Sequence, residues 1–336
     1  MLPAKFSSAE ALPPLTLLNS ASKSGALDIE PEVALQALRQ YQNLSQTGST
    51  GWETQLCTEF GLQPSSLTLL ARILGRCSRE DQKLFGFELL LSASALGDPS
   101  AIFTIVERGL KRNLLHERLY ADALQRLDIL AKKDGNRRAM HLIGKVLFAR
   151  GKNVEALNWF RNATRLPADN AEYFLDFEGA GEALVFEGQI LSEQGDQTGA
   201  QTAFQKAAFE LDEPAAYYHL ALLENPHSLK RKEYLMKAAS SGIIEACHEL
   251  GSFELALIKK TPDEPGPPSI SDYGMAREWF QAAAFGGFGP SMLSMALICK
   301  TVGQRDDGLR WLEMAKAIPE FRTQALAWES LGKMND

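Results

Sequence analysis

The chain has 336 residues, 45% of them hydrophobic and 23% charged, with a mean hydropathy of -0.17, a balance that excludes wholesale disorder. No stretch approaches the ~18 uninterrupted apolar residues of a membrane-spanning helix, and four scattered cysteines (Cys57, Cys77, Cys247, Cys299) without a CxxC pair argue against a disulfide framework or zinc knuckle. The net charge of -7 is unevenly spread: residues 108–165 carry 14 Lys/Arg against 5 Asp/Glu, whereas residues 166–336 carry 14 against 26.

Residues 1–27 read as a flexible N-terminal segment. Its first 25 residues hold only Lys5 and Lys23 as basic groups and no arginine, and the apolar LPPLTLL at 12–18 is broken by prolines. Neither a secretory signal nor a presequence fits that composition. The expected address is intracellular and soluble, in the cytoplasm or, after removal of a leader, the mitochondrial matrix. Residues 28–86 read as an N-terminal helical cap. Pro31 opens a helix through VALQALRQYQNL, TGSTG at 47–51 is a loop, and WETQLCTEF and the SSLTLLARILGRC that follows Pro64 are two more helices.

From residue 87 to 333 the chain repeats itself. YLMKAASSGIIEA (234–246) and WFQAAAFGGFGPS (279–291) share one template, aromatic-x-x-x-Ala-Ala-x-x-Gly-x-x-x-small. Sliding that template along the chain places its first alanine at 93, 131, 163, 207, 238, 283 and 315, with two insertions, LDFEGAG at 175–181 and KTPDEPGPPSIS at 260–271. The alanines suit a close approach of two helices, and Gly97, Gly135, Pro167, Gly242 and Gly287 sit where a helix stops. Ala139 and Ala246 are each followed five residues later by a glycine, Gly144 and Gly251, again on a packed face. Asp196 and Asp272 are expected helix N-caps. The final helix, TQALAWESLG, closes the array. The fold class is therefore all-α: a right-handed α-solenoid of about six or seven helix-turn-helix hairpins, each stacked on its neighbours.

The template resembles the Sel1-like repeat, a relative of the tetratricopeptide (TPR) repeat. The resemblance rests on Ala-x-x-x-Leu-Gly at 246–251, Ala-x-x-Trp-Phe-x-x-Ala-Ala at 276–284 and Ala-Ala-x-x-Gly-x-x-x-Ala at 238–246. It departs where Pro167 and Leu211 replace the turn glycine, and where Ser291 and Thr323 replace the opening alanine. The resemblance implies a non-enzymatic adaptor or scaffold that offers a long concave surface to partner proteins.

Chemistry-bearing motifs are absent from the sequence. His116, His141, His219, His227 and His248 show no HExxH spacing, Gly144-Lys145 is not a Walker loop, and no GxSxG elbow occurs. No metal, cofactor or catalytic role is assigned to any residue. Recurrent Trp159, Phe160, Trp279, Phe280 and Trp311 are expected to pack between hairpins, and KRK at 230–232 to form a solvated helix start. The basic block supplies the candidate partner-binding residues: Arg108, Lys111, Arg112, Lys132, Lys133, Arg137, Arg138, Lys145 and Arg150. Lys132-Lys133 and Arg137-Arg138 flank the turn at Gly135 and are expected at an exposed edge. Their expected target is an acidic segment of a partner protein, or the acidic face of a second copy of this chain. The alternative is RNA held by residues 108–165, against which stand the pI of 5.4 and the acidic remainder.

Overall fold

The computed structural model describes residues 11–47, 50–165, 176–258 and 269–333, and among these there are eighteen α-helices and no strand. The chain divides into two compact units, Met1–Asp169 and Asn170–Asp336. The repeat pattern expected to run as one array over 87–333 is thus shared between them. The stretches at 166–175 and 259–268, which hold Pro167, the first residue of the insertion at 175–181 and most of the insertion at 260–271, lie outside the described residues.

The first unit contains α1 (Leu15–Lys23), α2 (Pro31–Thr47), α3 (Trp52–Phe60), α4 (Pro64–Gly75), α5 (Glu80–Ala95), α6 (Pro99–Arg112), α7 (Ala121–Lys132), α8 (Arg137–Ala149) and α9 (Asn153–Thr164). Three hairpins stack: α4 on α5, α6 on α7 and α8 on α9, with contacts also running α4–α6, α6–α8 and α5–α7. The helix α1 falls inside the segment expected to be flexible. Its Leu18 is fully buried, because LTLL follows Pro14 closely enough to start a helix whose apolar face meets the core. Helix α5 runs through residue 86, where the cap was expected to end, so the first hairpin begins at Pro64. Tyr41 binds the cap to this hairpin: its ring lies 4.7 Å from Trp52 and 5.5 Å from Phe85, and its hydroxyl is 2.8 Å from Ser92 Oγ. Burial drives the Tyr41 phenol well above its ordinary pKa, so it stays a neutral hydrogen-bonding group.

The second unit contains α10 (Ala180–Glu193), α11 (Gln197–Leu211), α12 (Pro214–Leu223), α13 (Leu229–Ser240), α14 (Ile244–Leu257), α15 (Gly274–Phe285), α16 (Gly289–Thr301), α17 (Arg305–Lys316) and α18 (Arg322–Lys333). Consecutive helices pair as α10/α11, α12/α13, α14/α15 and α16/α17, and α18 covers α17 at the end.

One register repeats through both units. The seven template alanines, Ala93, Ala131, Ala163, Ala207, Ala238, Ala283 and Ala315, are all between 0 and 1% exposed. Several also close the turn. The N–H groups of Asp98, Glu213, Ile243 and Phe288 donate to the carbonyls of Ala93, Ala207, Ala238 and Ala283 at 3.0–3.1 Å. That bond requires a left-handed residue between donor and helix end. Gly97, Gly242 and Gly287 supply it with φ near 90°, and Asp212 supplies it at φ 49° just after Leu211, where glycine is missing.

The first helix of a hairpin carries a small residue against a large one on the second. A Cβ on Gly144 would stand 2.5 Å from the Phe160 ring, on Gly188 2.4 Å from Phe204, and on Gly251 2.7 Å from Phe280. In the hairpins α12/α13 and α16/α17 the glycine position holds Ala221 and Ala296, and the phenylalanine position holds Leu235 and Leu312, all buried. A larger small residue is thus matched by a smaller large one, as close packing at constant volume demands.

Of the two aspartates expected as N-caps, Asp196 serves, its Oδ1 accepting from Gly199 N–H at 2.9 Å. Asp272 does not. Its carboxylate accepts from the Ser269 N–H at 2.7 Å and closes a short 3-10 turn, Ile270–Tyr273, one step ahead of α15.

Candidate functional site

The nine candidate residues of the basic block lie on α6, α7 and α8 of the first unit or at their ends, in different settings. Arg108 lies on α6 with its guanidinium carbon 4.2 Å from the Phe87 ring centroid on α5. Burial and the neighbouring Arg112 lower its pKa, opposed by Tyr120 and Glu80. Glu80 in turn accepts from Lys83 Nζ at 2.6 Å, which holds its carboxyl below the usual range with smaller help from Arg112 and Arg108. Glu80 is thus paired with Lys83, a lysine the sequence pattern did not single out, and lies within the electrostatic reach of Arg108 and Arg112.

Arg138, at the start of α8, sits 4.7 Å over the Phe103 ring of α6 and pairs with Glu107 at 3.1 Å. Arg137 Nη2 donates to the Arg165 carbonyl at 3.0 Å, tying the start of α8 to the end of α9. Both arginines are half-buried, not at an exposed edge as expected. An arginine stem can cover apolar surface while its planar head stacks on a ring, and Arg138 stacks on Phe103 in this way. Lys132 pairs with Asp128 one turn earlier at 2.8 Å. Lys111, Arg112, Lys132, Lys133 and Arg150 are exposed, and Lys145 is half-buried.

In the second unit the KRK run is not a solvated start. Lys230 pairs with Glu224 at 2.6 Å, Arg231 with Glu249 at 2.6 Å, and Lys232 with Glu254 at 2.7 Å. Arg231 also donates to the Ala221 carbonyl at 3.2 Å, and its side chain is only 13% exposed. The three cations clamp α13 to α12 and α14. Their partners lie up to 22 residues away in sequence, a proximity that only the hairpin stack creates.

Three histidines recur on first helices beside second-helix phenylalanines. His141 lies 6.1 Å from Phe160, His248 5.3 Å from Phe280, and His219 stacks flat on Phe204 at 4.8 Å and 9°. Gln189 Nε2 and His219 Nε2 are 2.8 Å apart, so the amide N–H donates to an unprotonated ring nitrogen. Burial lowers the pKa of His219 and His248, which favours that neutral form. These rings pack the hairpins. Among the described residues no cluster of three His, Cys, Asp or Glu is placed to hold a metal ion, and the four thiols are free and raised in pKa by burial.

The aromatic doublets divide by position. Phe160 and Phe280 are core, as expected, but Trp159, Trp279 and Trp311 remain partly exposed. Trp311 lies 5.3 Å from Phe285, itself 67% exposed, and both border an open groove of about 390 Å³ over α15, α16 and α17. Sequence reasoning missed this groove. Phe285 is two residues past the buried Ala283, roughly opposite it on the helix, and an aromatic on that off-core face was the available signal.

No protein-family model matches the chain, and no curated protein sequence is similar to it at a significant level. Two of the solved structures similar to it are the following. The APC/C hetero-tetramer Cut9–Hcn1 aligns over 95% of this chain and 75% of that one at 14% identity and a TM-score of 0.43. A Sel1 repeat protein from Oxalobacter formigenes aligns over 86% of this chain and 92% of that one at 18% identity and a TM-score of 0.36. The described residues of this chain form stacked helical hairpins. No described helix is long and apolar enough to cross a membrane.

Proposed function

We propose that this chain is an interaction adaptor without catalytic activity of its own, and that its first unit receives an acidic segment of a partner protein. The observation that carries the reading is the setting of the basic block. Arg108 and Arg138 are stacked on Phe87 and Phe103 of neighbouring helices, while Lys111, Arg112, Lys132, Lys133 and Arg150 project into solvent from the same three helices. Arginines already stacked on rings lose little further freedom when they meet a carboxylate, and the exposed lysines raise the encounter rate. The hairpin stack distributes stability along its length, so these surface positions are free to serve recognition.

The test is comparative affinity purification with mass spectrometry, using the wild-type chain and the variant Lys111→Glu, Lys132→Glu, Lys133→Glu and Arg150→Glu. Arg137 and Arg138 are left intact because they hold α8 to its neighbours. The expected outcome is a set of proteins with acidic segments, recovered with the wild type and lost with the variant. Equal recovery with both forms would remove the acidic-segment reading, and recovery abolished by ribonuclease would replace it with RNA binding.

A further inference from the structure

The groove over α15–α17 combines three features. Its apolar wall is formed by Phe285, Trp311, Met314 and Met295, of which Phe285 is 67% and Met314 39% exposed. Its polar wall carries Arg277, Gln281 and Arg310, and Arg310 meets Asp307 at the rim at 3.0 Å. Arg277 gives one Nη1 bond to Glu278, at 2.9 Å, but its Nε is buried without an acceptor. The Arg277 side chain is 34% exposed, so its guanidinium keeps N–H donors beyond the Glu278 bond that suit a carboxylate in the groove.

The same chemistry occurs two hairpins earlier. Phe209 follows the alanine pair of α11 as Phe285 follows that of α15, is 57% exposed, and lies 6.2 Å from Tyr234, whose place in α13 is that of Trp311 in α17. Lys230 sits 5.5 Å over the Tyr234 ring and Lys237 4.5 Å over Tyr217. An exposed phenylalanine packed against a half-buried aromatic, beside cations, thus appears twice on second helices. It lies within a region, residues 166–336, that carries 26 acidic against 14 basic residues. An acidic ligand is repelled by most of that region and attracted at these points, which defines where it can dock.

We propose that the α15–α17 groove binds a partner segment in which a large apolar side chain adjoins a carboxylate. The apolar side chain inserts between Phe285, Trp311 and Met314, and the carboxylate accepts from the Arg277 guanidinium. This site is separate from the basic block and stands without it. It is tested by selecting phage-displayed random peptides on the full-length chain and measuring the winners against variants by fluorescence anisotropy. The expected winners carry Trp, Phe or Leu next to Asp or Glu. Their affinity falls at least tenfold for Phe285→Ser and for Arg277→Gln, and is unchanged by the fourfold reversal in the first unit. Phe285 is exposed, so its serine variant keeps the fold, and an unaltered thermal melt checks this. Winners without acidic residues, or winners that bind Phe285→Ser as tightly as wild type, overturn the proposal. Sedimentation showing a dimer that Phe285→Ser dissolves would place a second copy of the chain in the groove and overturn it equally.

Discussion

Replacing Gly251 with alanine sets two effects of known size against each other. Alanine inside a helix is favoured over glycine by about 1 kcal/mol, which taken alone stabilises α14. The added Cβ, however, would stand 2.7, 2.8 and 2.9 Å from three carbons of the Phe280 ring. Phe280 is only 2% exposed and cannot swing into solvent, so the clash falls on packed atoms and costs about 1–3 kcal/mol. The expected result is a net loss of about 1 kcal/mol. Phe280→Leu alone leaves a void and costs about 1 kcal/mol or more. The double variant recreates the alanine and leucine found at the equivalent register positions of paired helices, Ala221 and Leu235, and Ala296 and Leu312. Its loss should fall short of the sum of the singles by about 1 kcal/mol or more, the signature of two side chains in direct contact. Urea unfolding followed by circular dichroism measures all four proteins. A Gly251→Ala midpoint raised by the full helix-propensity gain, or strictly additive singles, would refute the size matching that sets the hairpin register.

Ala238→Leu and Ala283→Leu should each destabilise by about 1–3 kcal/mol in the same assay, because both alanines are fully buried at helix contacts; an unchanged melting temperature would put them on the wrong face. Asp98→Ala removes the acceptor for both Ala101 N–H and Thr68 Oγ1, and should cost about 1–2 kcal/mol, with Asp98→Asn recovering part of it. Burial depresses His219 below its ordinary 6.5, so as pH falls below 6.5 the unfolded chain takes up the proton first. Stability from this group is complete above pH 6.5 and declines with acidification until the folded-state histidine itself protonates. Unfolding midpoints across that window should show the decline, and His219→Gln should flatten part of it.

Much of the architecture is legible in the sequence because the repeat imposes the same local demand again and again. An alanine is required wherever two helices nearly touch, and a left-handed residue wherever the chain reverses, so seven alanines and their turn glycines mark the hairpins. Departures from the template are legible only in space: Leu211 seemed to lose the turn, but Asp212 adopts the positive φ one residue later. Asp272 fits the N-cap spacing, yet Ser269 captures its carboxylate first. Charge was the least readable property. Lys230, Arg231 and Lys232 look like a solvated run until α12 and α14 bring Glu224, Glu249 and Glu254 to them. Arg138 looks exposed beside Gly135 until α6 presents Phe103 and Glu107. The groove beside Phe285 arises from three helices at once, and no single segment of sequence carries it.

The claim that the first unit steers an acidic partner is tested most directly by the salt dependence of association. The measurement is the association rate of a purified partner with the wild-type chain and with Lys111→Glu, Lys132→Glu, Lys133→Glu, Arg150→Glu, by surface plasmon resonance from low to physiological ionic strength. Electrostatic steering predicts a wild-type rate that rises steeply as salt is lowered, and a variant rate that is slower and nearly independent of salt. Equal rates and equal salt slopes for the two proteins would contradict it.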